Sequence, residues 1–356
     1  MNAIKLKIAN QLLSKNIPFA IYRFPNKKDI HLAIEKELLP HPVQKFFWMT
    51  HFLPAKNSKN VQWAVLMEEY IDDRFLEYIT KLKERDIVYQ KIENSTTRES
   101  YKTQFQNFLK TIKEENIGKA ILSRVIVEKK PDDFDALGTF INLIQLYPNT
   151  FVHLSSHPIS GMWLGASPEL LLDKKDRKFS IMSLAGTKKH EEKETPWRKK
   201  EIDEHNMVGE HIEEIVKKHG IQILKKEGPY TWHLKKLQHL RTDYALLEEG
   251  NIDLMAFIND LHPTPAVGGL PIKKALNCIS NHEQYNRKYY CGIIGETDFK
   301  KISELYVNLR CMQIGEKSIA IYIGGGLTAL SKEEEEWDET KLKSNTMLDS
   351  IQSIEK

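Results

Sequence analysis

Cysteine is scarce in this chain: 356 residues carry three, Cys278, Cys291 and Cys311. An odd number without metal-ligand spacing argues against a disulfide framework or a thiolate metal centre, and points to buried thiols in a reducing cytoplasm. Long apolar runs are missing too. The N-terminal MNAIKLKIANQLLSKN is amphipathic but has no long apolar core, so neither a signal peptide nor a membrane span is expected. Charge of one sign is also lacking, since 52 Lys and Arg face 49 Asp and Glu. The lysines are mostly interleaved with glutamates, as on solvated faces rather than a nucleic-acid footprint. There is no fixed-period repeat, no phosphate loop and no dinucleotide fingerprint. These absences leave a soluble cytoplasmic protein, with no nucleic-acid or membrane partner expected.

What the chain does have is two matched glutamate pairs, Glu201/Glu204 and Glu336/Glu339, each spaced i,i+3 on a predicted helix. At about 100° per residue, the first pair shares a face with Val208, Ile212, Ile215 and Val216. The second lines up with Lys343, Met347, Ile351 and Ile354. Both pairs continue apolar stripes and should face inward. Inward carboxylates must be paired, protonated or bound to a cation, so two facing pairs would make an oxygen-rich site for a hard divalent ion.

Periodicity predicts a helix over 1–16, strands in IPFAIYRF, FFWMTHF and VQWAVLME, and turns at Pro25-Asn26 and Lys56-Asn57-Ser58. After the polar seam ENSTTRES and a helix over 101–115 come strands in KAILSRVIVEK, TFVHLSSH, GMWLGAS, ELLLD and KFSIMSL, with a hairpin turn at HPISG. A helix over 196–219 precedes a strand-like TWHLKKLQHLRTDY and the loop HPTPAVGGLP. Next come a helix over 273–279 and strands in YYCGIIGE, ELYVNLRCMQI and SIAIYIGGG. A last helix starts at Ser331, with Ser331 and Glu334 spaced as a capping box. Consecutive strands without intervening helices predict an α+β fold with antiparallel sheets packed between helices. No clean boundary divides 1–356, so one domain is expected, with an atypical part over 1–99 and the motifs over 100–356.

Several single residues stand out. Gly324-Gly325-Gly326 reads as a strand-to-helix turn whose N–H groups could approach an anion. Lys119 opens a strand, where a lysine is ordinarily exposed. Glu169 stands beside Leu170, Leu171 and Leu172, where a raised pKa would suit a general acid. Arg310, in an apolar strand, needs an anion from the protein or a ligand. His239 and Tyr290 taken alone fit ordinary core positions, and Glu339/Lys343 an i,i+4 ion pair.

As an ordered set these residues resemble the chorismate-utilising enzymes over roughly residues 100–350. The segments that carry the resemblance are Lys119-x-x-Leu-Ser-Arg124, Gly165-Ala-Ser-Pro-Glu-Leu170, Leu184-Ala-Gly-Thr187, Glu201-x-x-Glu204-His205, the run LHPTPAVGG over 261–269, Tyr289-Tyr290-Cys-Gly292, Arg310, Gly324–Gly326 and Glu336-Trp-x-Glu339-x-x-x-Lys343. The resemblance implies the fold of anthranilate synthase component I. It also favours isochorismate synthase. Lys119 replaces the glutamine of the ammonia-using members, Ala185 stands where aminodeoxychorismate synthases carry a lysine, and Ala266 where anthranilate synthases tend to have threonine. It implies Lys119 as the base that activates water and Glu169 as the acid. Mg²⁺ would be held by Glu204 and Glu339, with Glu201 and Glu336 binding directly or through water. Substrate contacts would come from Thr187, His239, Ala266, Tyr290, Arg310, Gly324, Gly325, Gly326 and Lys343. For this chemistry the lysine's ordinary pKa of about 10.4 must fall and the glutamate's of about 4.3 must rise.

The resemblance implies chorismate as substrate, no amidotransferase partner and a monomer, with the product feeding either menaquinone or siderophore synthesis. Its alternatives are a salicylate synthase, which would go on to eliminate pyruvate, an anthranilate synthase, and a non-catalytic protein that keeps the fold. Asn286, where a glutamate commonly precedes Arg287, Lys288 in place of a usual glycine, and FKKISELYV depart from the family pattern. All lie outside the acid, base and metal set.

Overall fold

Side-chain caps and left-handed residues punctuate the chain in the computed structural model, which describes residues 2–53, 59–190, 195–234 and 237–352. Helix α1 (Asn2–Ser14) leads to strands β1 (Phe19–Arg23), β2 (His31–Ile34), β3 (Phe46–Met49) and β4 (Val61–Val65). Helices α2 (Asp73–Lys81) and α3 (Arg98–Glu114) start where Asp72 and Thr97 accept the N–H groups of Phe75 and Ser100, satisfying donors a helix start leaves orphaned. Then come β5 (Lys119–Lys129), α4 (Ala136–Leu146), β6 (Phe151–His157), β7 (Gly161–Ser167), β8 (Leu170–Lys175) and β9 (Lys178–Lys189). Helix α5 (Lys199–Lys218) ends before Gly220, whose φ of +64° turns the chain into β10 (Ile221–His233) and β11 (Leu237–Glu248). The remainder is α6 (Leu254–Leu261), β12 (Gly269–Leu270), α7 (Ile272–His282), β13 (Ile293–Thr297), β14 (Ile302–Val307), β15 (Cys311–Ile314), β16 (Ser318–Leu327) and α8 (Glu333–Gln352).

The strands join in one hydrogen-bonded order, β10-β11-β9-β8-β14-β13-β3-β4-β2-β1-β6-β7-β15-β16-β5-β12, and every pairing is antiparallel. With the helices this is the α+β fold expected. Strand alternation divides the apolar residues between two cores. Ala20, Tyr22, Phe151, Trp163 and Tyr322 point into one, while Phe19, Ile21, Val152, Leu164 and Ile321 point into the other. Helices α3, α5, α6 and α7 cover the first core, and α1, α2, α4 and α8 contribute to the second. All three thiols are buried and free. No described helix is long and apolar enough to cross a membrane.

The order has one consequence for the site. Strands β7 and β8 stand far apart in it, yet only Pro168 and Glu169 connect them. So short a link spans roughly 10 Å, so the sheet must curl until those strands meet. The link between β14 and β15, residues 308–310, crosses the same seam, because β14 pairs with β8 and β15 with β7. Glu169 and Arg310 therefore both lie where the sheet closes.

Several expectations change. TWHLKKLQHLRTDY is not one strand: residues 231–233 end β10 and residues 237–244 belong to its antiparallel partner β11, with Lys235 and Lys236 outside the described residues. ELYVNLRCMQI breaks at 308–310, where Arg310 takes a φ of 47°. Gly324–Gly326 is not a turn but the end of β16, paired with Ser123, Leu122 and Ile121 of β5. The capping box is absent: the Ser331 hydroxyl accepts from Thr328 N–H and donates to Glu336, while Glu334 pairs with Arg98. The turn proposed at Lys56-Asn57-Ser58 lies outside the described residues.

Behind the site, the Arg287 and Glu283 side chains are each 3% exposed and paired at 2.6 Å. Arg287 also donates to Val267 O (2.9 Å) and Ile121 O (2.7 Å), and Glu283 accepts from the N–H and hydroxyl of Ser123. This group ties α7, the proline-rich loop and β5 together. Arg287→Met should cost about 3–5 kcal/mol in denaturant unfolding, because it strands a buried carboxylate. Arg287→Met combined with Glu283→Leu should recover most of that loss. A single-variant cost within experimental error would disprove the interlock.

Candidate active site

Lys119 is the first residue of β5, and its side chain is 1% exposed, not on the surface as a strand-opening lysine ordinarily is. Its Nζ lies 2.7 Å from Glu204 Oε1. The glycines of β16 make the space. A Cβ on Gly326 would come within 2.6 Å of Lys119 Cε and 3.0 Å of Glu204 Oε1, and one on Gly324 within 3.0 Å of the Tyr290 hydroxyl. The run thus clears volume above the sheet for other residues' functional groups.

One cavity is lined by Lys119, Glu169, Thr187, His239, Ala266, Tyr290, Arg310, Gly324, Gly325, Gly326 and Lys343, together with Glu204. These are the residues proposed from sequence as acid, base and substrate contacts. The remaining glutamates, Glu201, Glu336 and Glu339, line an adjoining cleft that shares Thr187 with the cavity.

Glu169 is 4% exposed. Burial pushes its carboxyl up to about 7, against the lowering effects of a 3.3 Å hydrogen bond from the Thr264 hydroxyl and of the Lys119 charge. The rise expected from its apolar neighbours is present. Its backbone is pinned at the seam: Glu169 O accepts from Val307 N–H at 3.0 Å. Thr264, inside the LHPTPAVGG run, was not singled out in the sequence.

Arg310 completes the opposite charge balance. Among the described residues no carboxylate lies within 4.0 Å of its guanidinium; its side-chain contacts are Thr346 Oγ1 at 3.4 Å and His239 Nε2 at 3.5 Å. His239 Nδ1 faces Gly186 O at 3.1 Å and Thr187 Oγ1 at 3.2 Å. A carbonyl can only accept, so Nδ1 carries the proton and Nε2 is left as an acceptor for Arg310. Burial, then the charges of Arg310 and Lys343, push this imidazole down to about 3, so it is neutral. The left-handed φ of Arg310 is uncommon for a residue with a Cβ and lies where β14 gives way to β15 at the cavity.

The glutamate pairs are held by cations. Arg198 lies 2.5 Å from Glu201, Lys119 2.7 Å from Glu204, Lys200 2.7 Å from Glu336 and Lys343 2.6 Å from Glu339. Glu201 and Glu336 are buried, while Glu204 and Glu339 are 17% and 28% exposed. Burial, then Glu339, raises Glu336. Burial alone would raise Glu339, but its pair with Lys343 outweighs that and holds it below the usual range. Lys343, on the cavity wall, makes the i,i+4 pair with Glu339 and also bonds Gly324 O. Lys200 and Arg198 were not picked out from the sequence, although Lys200 directly precedes Glu201 at the start of α5.

The donors suit a hard divalent ion: all are carboxylate oxygens, and Glu336 Oε2 is buried with no hydrogen-bond partner among the described residues. That atom and Glu339 Oε1 would stand 3.3 and 3.9 Å from a Cβ on Gly325. Among the described residues, however, no three His, Cys, Asp or Glu side chains converge into a ready metal cage.

Comparison with known proteins agrees with this geometry. Residues 31–352 match the model of a family described as chorismate binding enzyme. The isochorismate synthase EntC of Escherichia coli (strain K12) is 29% identical over 241 residues, which is 65% of this chain and 62% of that protein. The vibriobactin-specific isochorismate synthase of Vibrio cholerae is 28% identical over 273 residues, 72% of this chain and 68% of that one. The match to EntC thus spans less than two thirds of that relative's length. In fold, MenF, the menaquinone-specific isochorismate synthase from Escherichia coli, superposes with a TM-score of 0.77 at 21% identity, covering 97% of this chain and 91% of that one. Anthranilate synthase component I from Streptococcus pneumoniae gives 0.68 at 16% identity, covering 92% and 89%. With a family match over nearly its whole length, and with the predicted site residues gathered on one cavity and the cleft beside it, the chain belongs to the chorismate-binding enzymes.

Proposed function

We propose that this protein is an isochorismate synthase, an isomerase that adds water at C2 of chorismate with loss of the 4-hydroxyl. The observation that carries the reading is the pairing, on one cavity, of a buried lysine with a buried glutamate whose carboxyl titrates at about 7. Lys119 takes the proton from the attacking water; to do so, its amine must leave the Glu204 carboxylate. Glu169, protonated over the acid side of neutrality, donates to the departing hydroxyl, so one water enters and one leaves. Arg310, without a carboxylate partner of its own, grips the enolpyruvyl carboxylate, with the neutral His239 orienting its guanidinium and Tyr290 lining the same end. Glu204 and Glu339, with Glu201 and Glu336 directly or through water, would hold Mg²⁺. When bound, that ion would neutralise and fix a substrate carboxylate. A lysine in the base position, in place of glutamine, favours water over ammonia, and the alanines at 185 and 266 agree. The protein would act as a cytoplasmic monomer without an amidotransferase.

Purified protein given chorismate and Mg²⁺ should accumulate isochorismate without added ammonia. Stoichiometric pyruvate with fluorescent salicylate would instead make it a salicylate synthase, and strict ammonia dependence an anthranilate synthase.

Lys119→Ala and Glu169→Gln should each lower kcat by roughly 10²–10⁴-fold while chorismate still binds. Wild-type turnover should fall as pH rises through about 7, where Glu169 loses its proton. Absence of turnover in wild type, with intact binding, would leave only a binding protein.

Glu169 also makes a stability prediction. Between its ordinary value of 4.5 and about 7 the folded state keeps a proton that the unfolded chain has lost. Stability should therefore decline with rising pH across that window, by roughly 3 kcal/mol in total from this group. Subtracting the pH profile of Glu169→Gln from that of wild type should isolate the decline. Parallel profiles would show that Glu169 is ionised in the fold.

A further inference from the structure

Of the four cations on the glutamates, three have another explanation. Lys119 and Lys343 line the substrate cavity, and the Arg198 side chain is 68% exposed. Lys200 does not fit that pattern. It stands in the first turn of α5, one residue before Glu201, and places Nζ 2.7 Å from Glu336 Oε1. Glu336 is buried, and its other oxygen has no partner. Burial opposes the charge on Lys200, but attraction from Glu336, then Glu339 and Glu204, outweighs it and raises the pKa of the ammonium. One tethered positive charge thus lies among three of the four carboxylates assigned to the divalent ion.

We propose that Lys200 is a built-in occupant of the metal site, a cation that keeps the glutamates assembled without metal and must withdraw for a divalent ion to bind. The inference rests on the Mg²⁺ reading above. It accounts for two observations together: Glu336 is buried with Lys200 as its counter-charge, and among the described residues the glutamates do not converge into a metal cage. A buried carboxylate stripped of its counter-charge is strongly destabilising, and Lys200 prevents this at Glu336. It also has somewhere to go. Its side chain is 24% exposed and borders a cleft of about 500 Å³, whose lining includes Glu335 and Asp338 as alternative partners.

The test is calorimetric titration of Mg²⁺ alone into the full chain as wild type, Lys200→Met and Glu339→Gln, with thermal melts with and without the ion. Lys200→Met should bind Mg²⁺ about tenfold more tightly, as expected for removing a unit charge a few ångströms from the ion in a partly screened site. It should melt below wild type without metal and recover with Mg²⁺. Binding heat in Lys200→Met where wild type shows none would support the proposal equally. Equal or weaker binding in Lys200→Met, with binding lost in Glu339→Gln, would overturn the role of Lys200 and leave the metal site standing. Wild-type affinity in Glu339→Gln, or no binding by any variant, would overturn the metal site and this proposal with it. Should Lys200→Met fail to fold, Lys200→Gln carries the same expectations.

Discussion

A carboxylate taken out of water needs a compensating charge, and the face of this protein that carries the cavity and its cleft is organised around that need. Its ion pairs do structural work as well. Lys119 with Glu204 ties β5 to α5, Lys200 with Glu336 ties α5 to α8, and Lys343 ties α8 to β16 through Gly324 O. The two helices and strands β5 and β16 are thus held by the same groups that border the cavity and its cleft. The glycines of β16 make this possible, because side chains there would occupy the places of Lys119, Glu204 and the Tyr290 hydroxyl.

Against that background the exceptions are the informative residues. Glu169 is buried without an ion-pair partner, so it responds to burial by holding its proton. Arg310 cannot shed its charge at neutral pH and has no carboxylate within reach among the described residues, so it is the group left for an anion from outside. His239 stays neutral between them because burial and the nearby cations make a second positive charge unfavourable.

Much of this was legible in the sequence. The stripe of Val208, Ile212, Ile215 and Val216 gave the direction of Glu201 correctly, and the leucines after Glu169 gave its apolar setting. What periodicity cannot supply is partners distant in sequence. Nothing local to Lys200 announces Glu336, which lies 136 residues away. The glycine run was misplaced because glycine reports only that space is needed, and a strand packed beneath side chains needs it as much as a turn does. Strand β2 and helices α2, α4 and α6 were missed since each is short, and a four-residue HLAI or an eight-residue LMAFINDL shows too little of its period to be told from its flanks. The break at Arg310 was hidden because apolar residues flank it closely on both sides, Tyr306 and Val307 before it and Cys311 and Met312 after.

The motif-free N-terminal strands finally matter to the chemistry through topology. They occupy the middle of the order, between β13 and β6, so the sheet can close at Glu169 and Arg310 only through them. The join is reinforced by Glu296 of β13, whose buried carboxylate accepts from the Tyr22 hydroxyl of β1 at 2.6 Å and pairs with Lys45, just before β3. The positions of Glu169 and Arg310 are set by how far the sheet curls, and that curl depends on strands that line neither the cavity nor the cleft. A segment can therefore lack every family signature and still fix how the residues on the cavity wall stand to one another.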